Sequence, residues 1–224
     1  MMNFSRQRDI MDPAEFVWPV HCVGVGGIGS ANALVLAKLG VLELHLWDPD
    51  TVAEENIPNQ LIYEPTDVGK HKVDAAAETL RRMTGVTVHV HPEFCTPTTR
   101  LEGVVVSGVH SMQARQDIWK AVKQNALVPL YLDGRLGGEI CELHTVRPSN
   151  LDDGETYEKF LFPDAEAAAL PCAARAIIHP PAILAGIVAS QLIRWIRKER
   201  YYRRIVFDAK TMTLLTQFER KGGA

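Results

Sequence analysis

The stretch from Val20 to Asp50 constrains the fold of this chain more than any other. An apolar strand leads into a turn with glycines at positions 24, 26 and 29, and an apolar helix and a second strand follow before Asp48. Glycines with this spacing between a strand and a helix let backbone N–H groups approach a phosphate closely. An acidic residue about 20 positions further on can accept hydrogen bonds from ribose hydroxyls. The stretch therefore predicts a nucleotide site; the alternative is that the glycines serve only helix–strand packing.

Length and composition narrow the class of protein. The 224 residues, 46% of them hydrophobic and 23% charged, are enough for one full α/β core. A net charge of −3 argues against a general nucleic-acid or acidic-membrane binder. No apolar run reaches transmembrane length, and the first residues lack the apolar core of a signal peptide, so we expect no membrane association and a cytoplasmic location.

Alternating strand and helix patterns predict an α/β fold with a Rossmann-like, mostly parallel sheet flanked by helices, and antiparallel strands toward the C-terminal end. The predicted strands are 18–23, 42–47, 86–91, 103–107, 128–132, 139–146, 203–208 and 211–218. The predicted helices are 30–39, 67–84, 112–124 and 181–198. Two long irregular stretches, 50–67 and 147–171, remain as loops, and loops of such length in a compact domain are usually functional.

Cysteine and histidine positions allow few metal sites. The chain has four cysteines and no C-x-x-C pair, which argues against a structural zinc knuckle. We expect Cys22 and Cys141 to be core thiols and Cys95 to be inert. His89 and His91 share one face of a predicted strand and could bind a metal, but solvated side chains near a sheet edge are the favoured interpretation.

Three further motifs follow the glycine turn in a fixed order. They read Asp48-Pro49-Asp50-Thr51-Val52, Asn56-Ile57-Pro58-Asn59-Gln60 and Gly69-Lys70-His71-Lys72. Together they resemble the Asp-x-Asp-x-Val, Asn-Leu-x-Arg-Gln and Gly-Lys-x-Lys elements of the ubiquitin-activating, ThiF/MoeB/HesA-type adenylyltransferase superfamily. The resemblance covers about residues 4–200. It implies a single ThiF-type adenylation domain over 1–224, with an N-terminal arm over 1–16 and a crossover loop region over 147–180.

The resemblance also implies an activity. In this superfamily ATP activates the C-terminal glycine carboxylate of a small β-grasp protein, which is a ubiquitin-like or sulfur-carrier protein, and pyrophosphate leaves. The implied cofactors are ATP and Mg²⁺. The implied partners are that carrier, a second copy of the chain in a homodimer and, in the conjugating branches, a conjugating enzyme.

Roles for single residues follow from the same resemblance. The glycines would cradle the phosphates, Asp48 would hold the ribose, and Lys72 would place a positive charge on the phosphates. Arg6, in a segment like the family's N-terminal arm, would reach the nucleotide of the partner subunit. The complete implied nucleotide-binding set is Gly24, Gly26, Gly27, Gly29, Asp48, Asp50, Asn56, Asn59, Gln60, Lys72 and His110.

Three positions leave the chemistry open. Asn59 stands where the family has an arginine, and His110 stands where it has an aspartate that serves Mg²⁺ and the nucleotide. Since Mg²⁺ prefers carboxylate oxygen, Asp133 after the next strand is the candidate for the missing ligand and catalytic carboxylate. Cys172, before an apolar helix and near Arg175, either accepts the carrier as a thioester or is a family cysteine without a transfer role.

Two other functions remain open at this stage. The chain could be a non-catalytic partner subunit or scaffold of an activating complex, which binds nucleotide without fast chemistry. It could also be an NAD-dependent oxidoreductase, because the glycine turn and Asp48 suit NAD equally well. The long loop after Asp50 and the Gly69–Lys72 element argue against NAD, since a nicotinamide site needs neither.

Overall fold

A computed structural model describes residues 2–163 and 177–218. Eight strands of this part form one sheet in the order β3-β2-β1-β4-β5-β6-β7-β8. The first five run parallel, and β5 through β8 pair antiparallel. The strands are β1 Val20–Val23, β2 Glu43–Trp47, β3 Thr87–His91, β4 Val104–Ser107, β5 Leu130–Gly137, β6 Ile140–Val146, β7 Tyr202–Asp208 and β8 Thr213–Phe218. The predicted fold class is confirmed.

Five described helices cover the two faces of this sheet. They are α1 Gly27–Leu39, α2 Lys72–Thr84, α3 Met112–Val122, α4 Leu151–Glu158 and α5 His179–Ile196. On one face, here the α1 face, leucines of α1, α2 and α5 pack with Leu44 and Leu132 of the strands. On the other, the α3 face, Ile118 and Tyr157 of α3 and α4 pack with Val105. The sheet is thus the middle layer of three.

One crossover between parallel strands lacks a helix. Residues 92–103, which join β3 to β4, contain only turns and irregular backbone. A parallel crossover usually has a helix that packs on the sheet. On the α3 face, α3 and α4 pack near β4, β5 and β6. Since residues 92–103 form no helix, this crossover does not cover β2 and β3 on that face.

Three element predictions need correction. The helix predicted over 67–84 begins at Lys72, because Gly69 has a φ of +90°, outside the helical region. The strand predicted to end at 132 continues to Gly137, so Asp133 lies within β5. The predicted loop 147–171 contains α4, whose N-cap Asn150 accepts a hydrogen bond from the Asp153 N–H at 3.0 Å.

The N-terminal arm packs against its own chain. Gln7 donates a hydrogen bond to the Leu39 carbonyl at 2.7 Å, and Met11 is 1% exposed. The arm therefore lies at the C-terminal end of α1. None of the described helices combines the length and apolar character that a membrane crossing requires.

Candidate functional site

A cleft lies at the carboxyl ends of the parallel strands, where the order reverses between β1 and β4. Loops that follow β1, β2 and β4 enclose it together with the end of β5, and its volume is about 790 Å³. Open α/β sheets bind ligands at this topological switch point. The cleft is large enough for a nucleotide-sized molecule. We therefore ask which of the predicted site residues line this cleft.

The glycine turn forms one edge of the cleft, and its glycines differ in what they do. Gly24 has a φ of +81°, and a Cβ there would lie 3.0 Å from the Gly108 carbonyl oxygen. A Cβ on Gly29 would lie 1.7 Å from the Gly24 oxygen, so this glycine permits the contact between helix and turn. A Cβ on Gly26 would meet nothing within 4 Å. Gly26 and Gly27 line the open cleft, beside the unpaired N–H groups of the first turn of α1.

Asp48 joins two loops beneath the cleft. Its Oδ2 accepts a hydrogen bond from the Val25 N–H at 2.7 Å, and its Oδ1 accepts one from the Asp50 N–H at 2.9 Å. The residue is only 6% exposed but lines the cleft. Each carboxylate oxygen has further acceptor capacity, so Asp48 can still receive a ligand hydroxyl.

Lys72, the first residue of α2, brings a positive charge to the same edge. Its Nζ lies 2.8 Å from Asp50 Oδ2; the Lys72 side chain is 10% exposed and that of Asp50 59%. The Tyr63 hydroxyl donates to the Val25 carbonyl at 2.7 Å and lies 3.3 Å from the Lys72 carbonyl. Tyr63 thus ties the glycine turn to the start of α2, a role that the sequence did not indicate.

Only some of the predicted residues in the loop after Asp50 line the cleft. Gln60 and Asn59 line the cleft, and the buried Gln60 Oε1 has no hydrogen-bond partner among the described residues. The Asn59 side chain donates to the Glu55 carbonyl at 2.8 Å. Asn56 lies outside the cleft lining, where its Oδ1 accepts from the Ala53 N–H at 3.0 Å and shapes a short turn.

The opposite wall of the cleft is formed at the ends of β4 and β5. His110 is exposed there and lines the cleft, as do Arg115 and Arg135. Arg135 was not among the predicted site residues. Its spacing from Asp133 could have indicated it, since residues two apart in a strand share one face.

Asp133 holds both arginines of this wall. Arg115 Nε lies 3.2 Å from Oδ1, and Arg135 Nε lies 2.7 Å from Oδ2. The hydroxyls of Ser107 and Tyr157 donate to the same carboxylate at 2.6 and 3.0 Å. Burial alone would raise the pKa of Asp133, but the charges of the two guanidinium groups outweigh it and lower the pKa to about 2.

This environment does not fit Asp133 as a Mg²⁺ ligand. The side chain is 0% exposed, and each of its oxygens already accepts two hydrogen bonds. Mg²⁺ keeps several waters and needs exposed carboxylate oxygens. Asp133 would have to give up its arginine and hydroxyl partners to bind the ion.

The remaining predicted residues lie away from the cleft or outside the described ranges. Arg6 is exposed beside Gln7, at the far end of α1 from the glycine turn, and 13 helical residues separate those ends by about 20 Å. Arg6 therefore does not reach the cleft of its own chain. Cys172 lies outside the described residues.

The three described cysteines are free. Cys22 and Cys141 are buried, as expected for core thiols, and Cys95 lines the cleft. Burial raises the pKa of the Cys95 thiol to about 11, which disfavours the nucleophilic thiolate near neutral pH.

Comparison with known proteins gives a family and several relatives. The model of the ThiF family matches residues 18–221. A segment of 78 residues is 40% identical to ubiquitin-like modifier-activating enzyme 5 of Oryza sativa subsp. japonica, and 75 residues are 48% identical to the adenylyltransferase and sulfurtransferase uba4 of Aspergillus clavatus. These segments cover 35% and 34% of this chain, but only 16% and 14% of the two relatives.

Among solved structures, the chain is similar to E. coli MccB crystallised with AMPCPP and MccA. The TM-score is 0.72 at 18% identity, over 94% of this chain and 66% of that chain. At this identity the likeness concerns the fold. The chain thus spans a small part of the curated relatives that it matches and about two thirds of the MccB chain.

Proposed function

The chain belongs to the ThiF family, and from that premise we propose that it uses ATP to adenylate a carboxylate. The observation that carries the proposal is the position of Lys72, which lies in the cleft wall beside the glycine turn and Asp48. A cation next to a helix N-terminus suits the phosphates of ATP. A nicotinamide site needs no such lysine, so this arrangement favours ATP over NAD.

The proposed substrate is the C-terminal glycine carboxylate of a small β-grasp protein. The names of two relatives support a ubiquitin-like or sulfur-carrier protein, and MccB was crystallised with the nucleotide AMPCPP and with MccA. In the proposed reaction a carboxylate oxygen attacks the α-phosphorus of ATP, and the bond from that phosphorus to the pyrophosphate oxygen breaks. The products are an acyl adenylate and pyrophosphate.

Each group of the cleft has a part in this step. Asp48 would accept hydrogen bonds from the ribose, and the first-turn N–H groups of α1 would bind phosphate oxygens. Lys72 would stabilise the charge that develops on the leaving pyrophosphate. The Gln60 amide oxygen, buried and without a partner in the described part of the chain, would accept a hydrogen bond from the ligand. On the other wall, two arginines and one carboxylate leave one net positive charge for phosphate or carboxylate.

In this proposal Mg²⁺ is bound by the phosphates of ATP and is given no protein ligand. Since Asp133 does not fit as its ligand and His110 offers nitrogen, no step here depends on a protein-bound Mg²⁺. His110 offers no carboxylate oxygen to an ion on the phosphates, whereas the aspartate at this place in the family does, so the histidine would slow adenylation. We expect His110→Asp to raise the rate of ATP–pyrophosphate exchange with a Gly-Gly-terminated β-grasp protein; equal rates would contradict this.

Two further parts of the proposal involve a second protein or a second step. Arg6 would act on the nucleotide of a partner subunit in a homodimer, which agrees with its distance from its own cleft. Cys172 would accept the activated carrier as a thioester before a conjugating enzyme or another acceptor takes it. A reductant-sensitive conjugate that persisted in Cys172→Ala would contradict the thioester assignment.

Nucleotide binding gives the direct test of the central proposal. We expect calorimetry to show binding of ATP, and Lys72→Ala to weaken it roughly tenfold, or by about 1.4 kcal/mol, because a phosphate-facing charge is lost. Lys70→Ala is the matched control, since Lys70 lies two positions away and pairs with Asp67 and Glu78 on the surface. It should leave ATP affinity unchanged.

Two other outcomes would favour a different function, and a third would remove the role of Lys72. Binding of NAD in preference to ATP would contradict the proposal and favour an oxidoreductase. Binding of ATP without pyrophosphate exchange, for the parent and for His110→Asp alike, would favour the partner-subunit alternative. Equal loss of affinity in Lys72→Ala and Lys70→Ala would show that Lys72 has no specific contact with the phosphates.

A further inference from the structure

A group of imidazoles lies on the α3 face of the sheet, away from the nucleotide cleft. The strand registers place His21, His45 and His89 side by side on β1, β2 and β3. The His21 and His45 rings stack at 4.3 Å between centroids, and the His45 and His89 rings at 4.6 Å. Glu43, two residues before His45 on β2, lies on the same face.

Three of these side chains converge on one point. Glu43 Oε1 lies 3.3 Å from His45 Nε2 and 3.1 Å from His89 Nε2, and the three ligand atoms all lie within 4.8 Å of one another. Ligands about 2.0–2.1 Å from a tetrahedral zinc ion are about 3.3 Å apart, by simple geometry. From these distances we propose that Glu43, His45 and His89 form a Zn²⁺ site at the edge of the sheet.

The surroundings support this assignment. His45 Nδ1 lies 3.1 Å from His91 Nε2, so a hydrogen bond to His91 can hold the His45 ring with Nε2 toward the ion, as hydrogen bonds to the other ring nitrogen of zinc-bound histidines do. The side chains of His89 and Glu43 are 47% and 45% exposed, so an ion in solution can reach them. The ion would bind through His89 and not through the His89–His91 pair considered from the sequence.

The position of the site indicates what the ion does. Among the described strands, β3 is an edge strand that pairs only with β2, and the crossover 92–103 places no helix over this part of the α3 face. Two ligands on β2 and one on β3 would cross-link the edge strand to the sheet. Two imidazoles and one carboxylate leave the fourth position for water. The ion therefore stabilises the region that the missing helix leaves uncovered.

Zinc binding by the untagged, metal-free full chain tests the proposal. We expect one Zn²⁺ per chain in equilibrium dialysis, a higher thermal midpoint with Zn²⁺, and a tetrahedral absorption spectrum with Co²⁺ as the probe. His89→Ala and Glu43→Gln should each weaken Zn²⁺ binding roughly tenfold or more, and His91→Ala should weaken it about tenfold. His179→Ala is the matched control, because His179 also pairs with one glutamate, Glu139, at 3.3 Å but belongs to no group of three possible ligands among the described residues.

Three results would overturn the site. The first is the absence of stoichiometric Zn²⁺ binding by the folded parent chain. The second is unchanged affinity in both His89→Ala and Glu43→Gln, and the third is an equal loss of affinity in His179→Ala. Because the side chains of His89 and Glu43 are about half exposed, their variants should fold, and circular dichroism without metal checks this. ATP binding should be unaffected, which separates this test from that of the proposed function.

Discussion

The two walls of the cleft hold their polar groups in opposite ways. On the wall of the glycine turn, Asp48 and Lys72 are fixed by backbone N–H groups and by an exposed carboxylate. On the wall of β4 and β5, Arg115 and Arg135 are both fixed by the same fully buried carboxylate, that of Asp133. The first wall keeps its groups available to a ligand, whereas the second uses much of its charge to hold itself together. Loss of a charge should therefore affect binding on one wall and folding on the other.

Removal of Asp133 should have the largest effect. Asp133→Ala leaves two largely buried guanidinium groups without their carboxylate, and breaking a buried pair in this way costs about 3–5 kcal/mol of unfolding free energy. Urea unfolding measures the loss. Asp117→Ala is the control, since Asp117 pairs with Lys120 at the surface, where such a pair is worth about 0–1 kcal/mol. Similar losses of unfolding free energy in the two variants would show that Asp133 stabilises the fold no more than a surface ion pair does, which would contradict the difference between the walls.

Two glycine substitutions in the first wall separate an effect on folding from an effect on ligand binding. Gly29→Ala places a methyl group 1.7 Å from the Gly24 oxygen and should lower the unfolding free energy by about 3 kcal/mol, at the upper end for overpacking. Gly26→Ala adds a methyl group that meets no atom within 4 Å, at a residue that lines the cleft. We expect stability close to the parent and weaker ATP binding in calorimetry. Equal stability losses would show that both glycines serve only helix–strand packing.

The first wall was largely predictable from the sequence because its parts are close together along the chain. The strand, the glycine turn, the helix and Asp48 follow one another within Val20–Asp50, and backbone geometry alone brings them to one edge. Lys72 needed the resemblance, since a helix lysine is otherwise an ordinary surface residue. Tyr63 was missed because its contact depends on the path of an irregular loop, which no periodic pattern encodes.

The second wall was less predictable because its contacts span distant segments. Asp133 was expected at the end of a strand, as the carboxylate that could replace the missing Mg²⁺ ligand, but β5 continues past it and Asp133 lies in the core. Its partners come from β4, α3 and α4, and α4 was not predicted. Gly154 and the short length of α4 weakened its helical pattern, although Asn150, Asp152 and Asp153 form an N-cap with an acidic first turn. The imidazole site depends likewise on register between β2 and β3, which the sequence does not state.

Acid should weaken the second wall through Asp133. Because its folded pKa of about 2 lies below the ordinary 3.8, its stabilisation is fully present above pH 4 and is lost as the pH falls toward 2. The difference of 1.8 pK units, from 3.8 minus 2, corresponds to about 2 kcal/mol. Glu142 also has its pKa lowered to about 2, because His144 and Arg204 outweigh the opposing effect of burial. In acid the parent therefore loses more stability than Asp133 alone accounts for.

The informative quantity is therefore the difference between the parent and Asp133→Asn in how steeply the unfolding free energy, measured with urea, changes from pH 4 to 2. The variant should bind up to one proton fewer on unfolding, which flattens its slope by up to about 1.4 kcal/mol per pH unit. Parallel curves would mean that the pKa of Asp133 is the same in the folded and the unfolded chain, so that the charges of Arg115 and Arg135 do not stabilise its carboxylate and the contrast between the walls is lost.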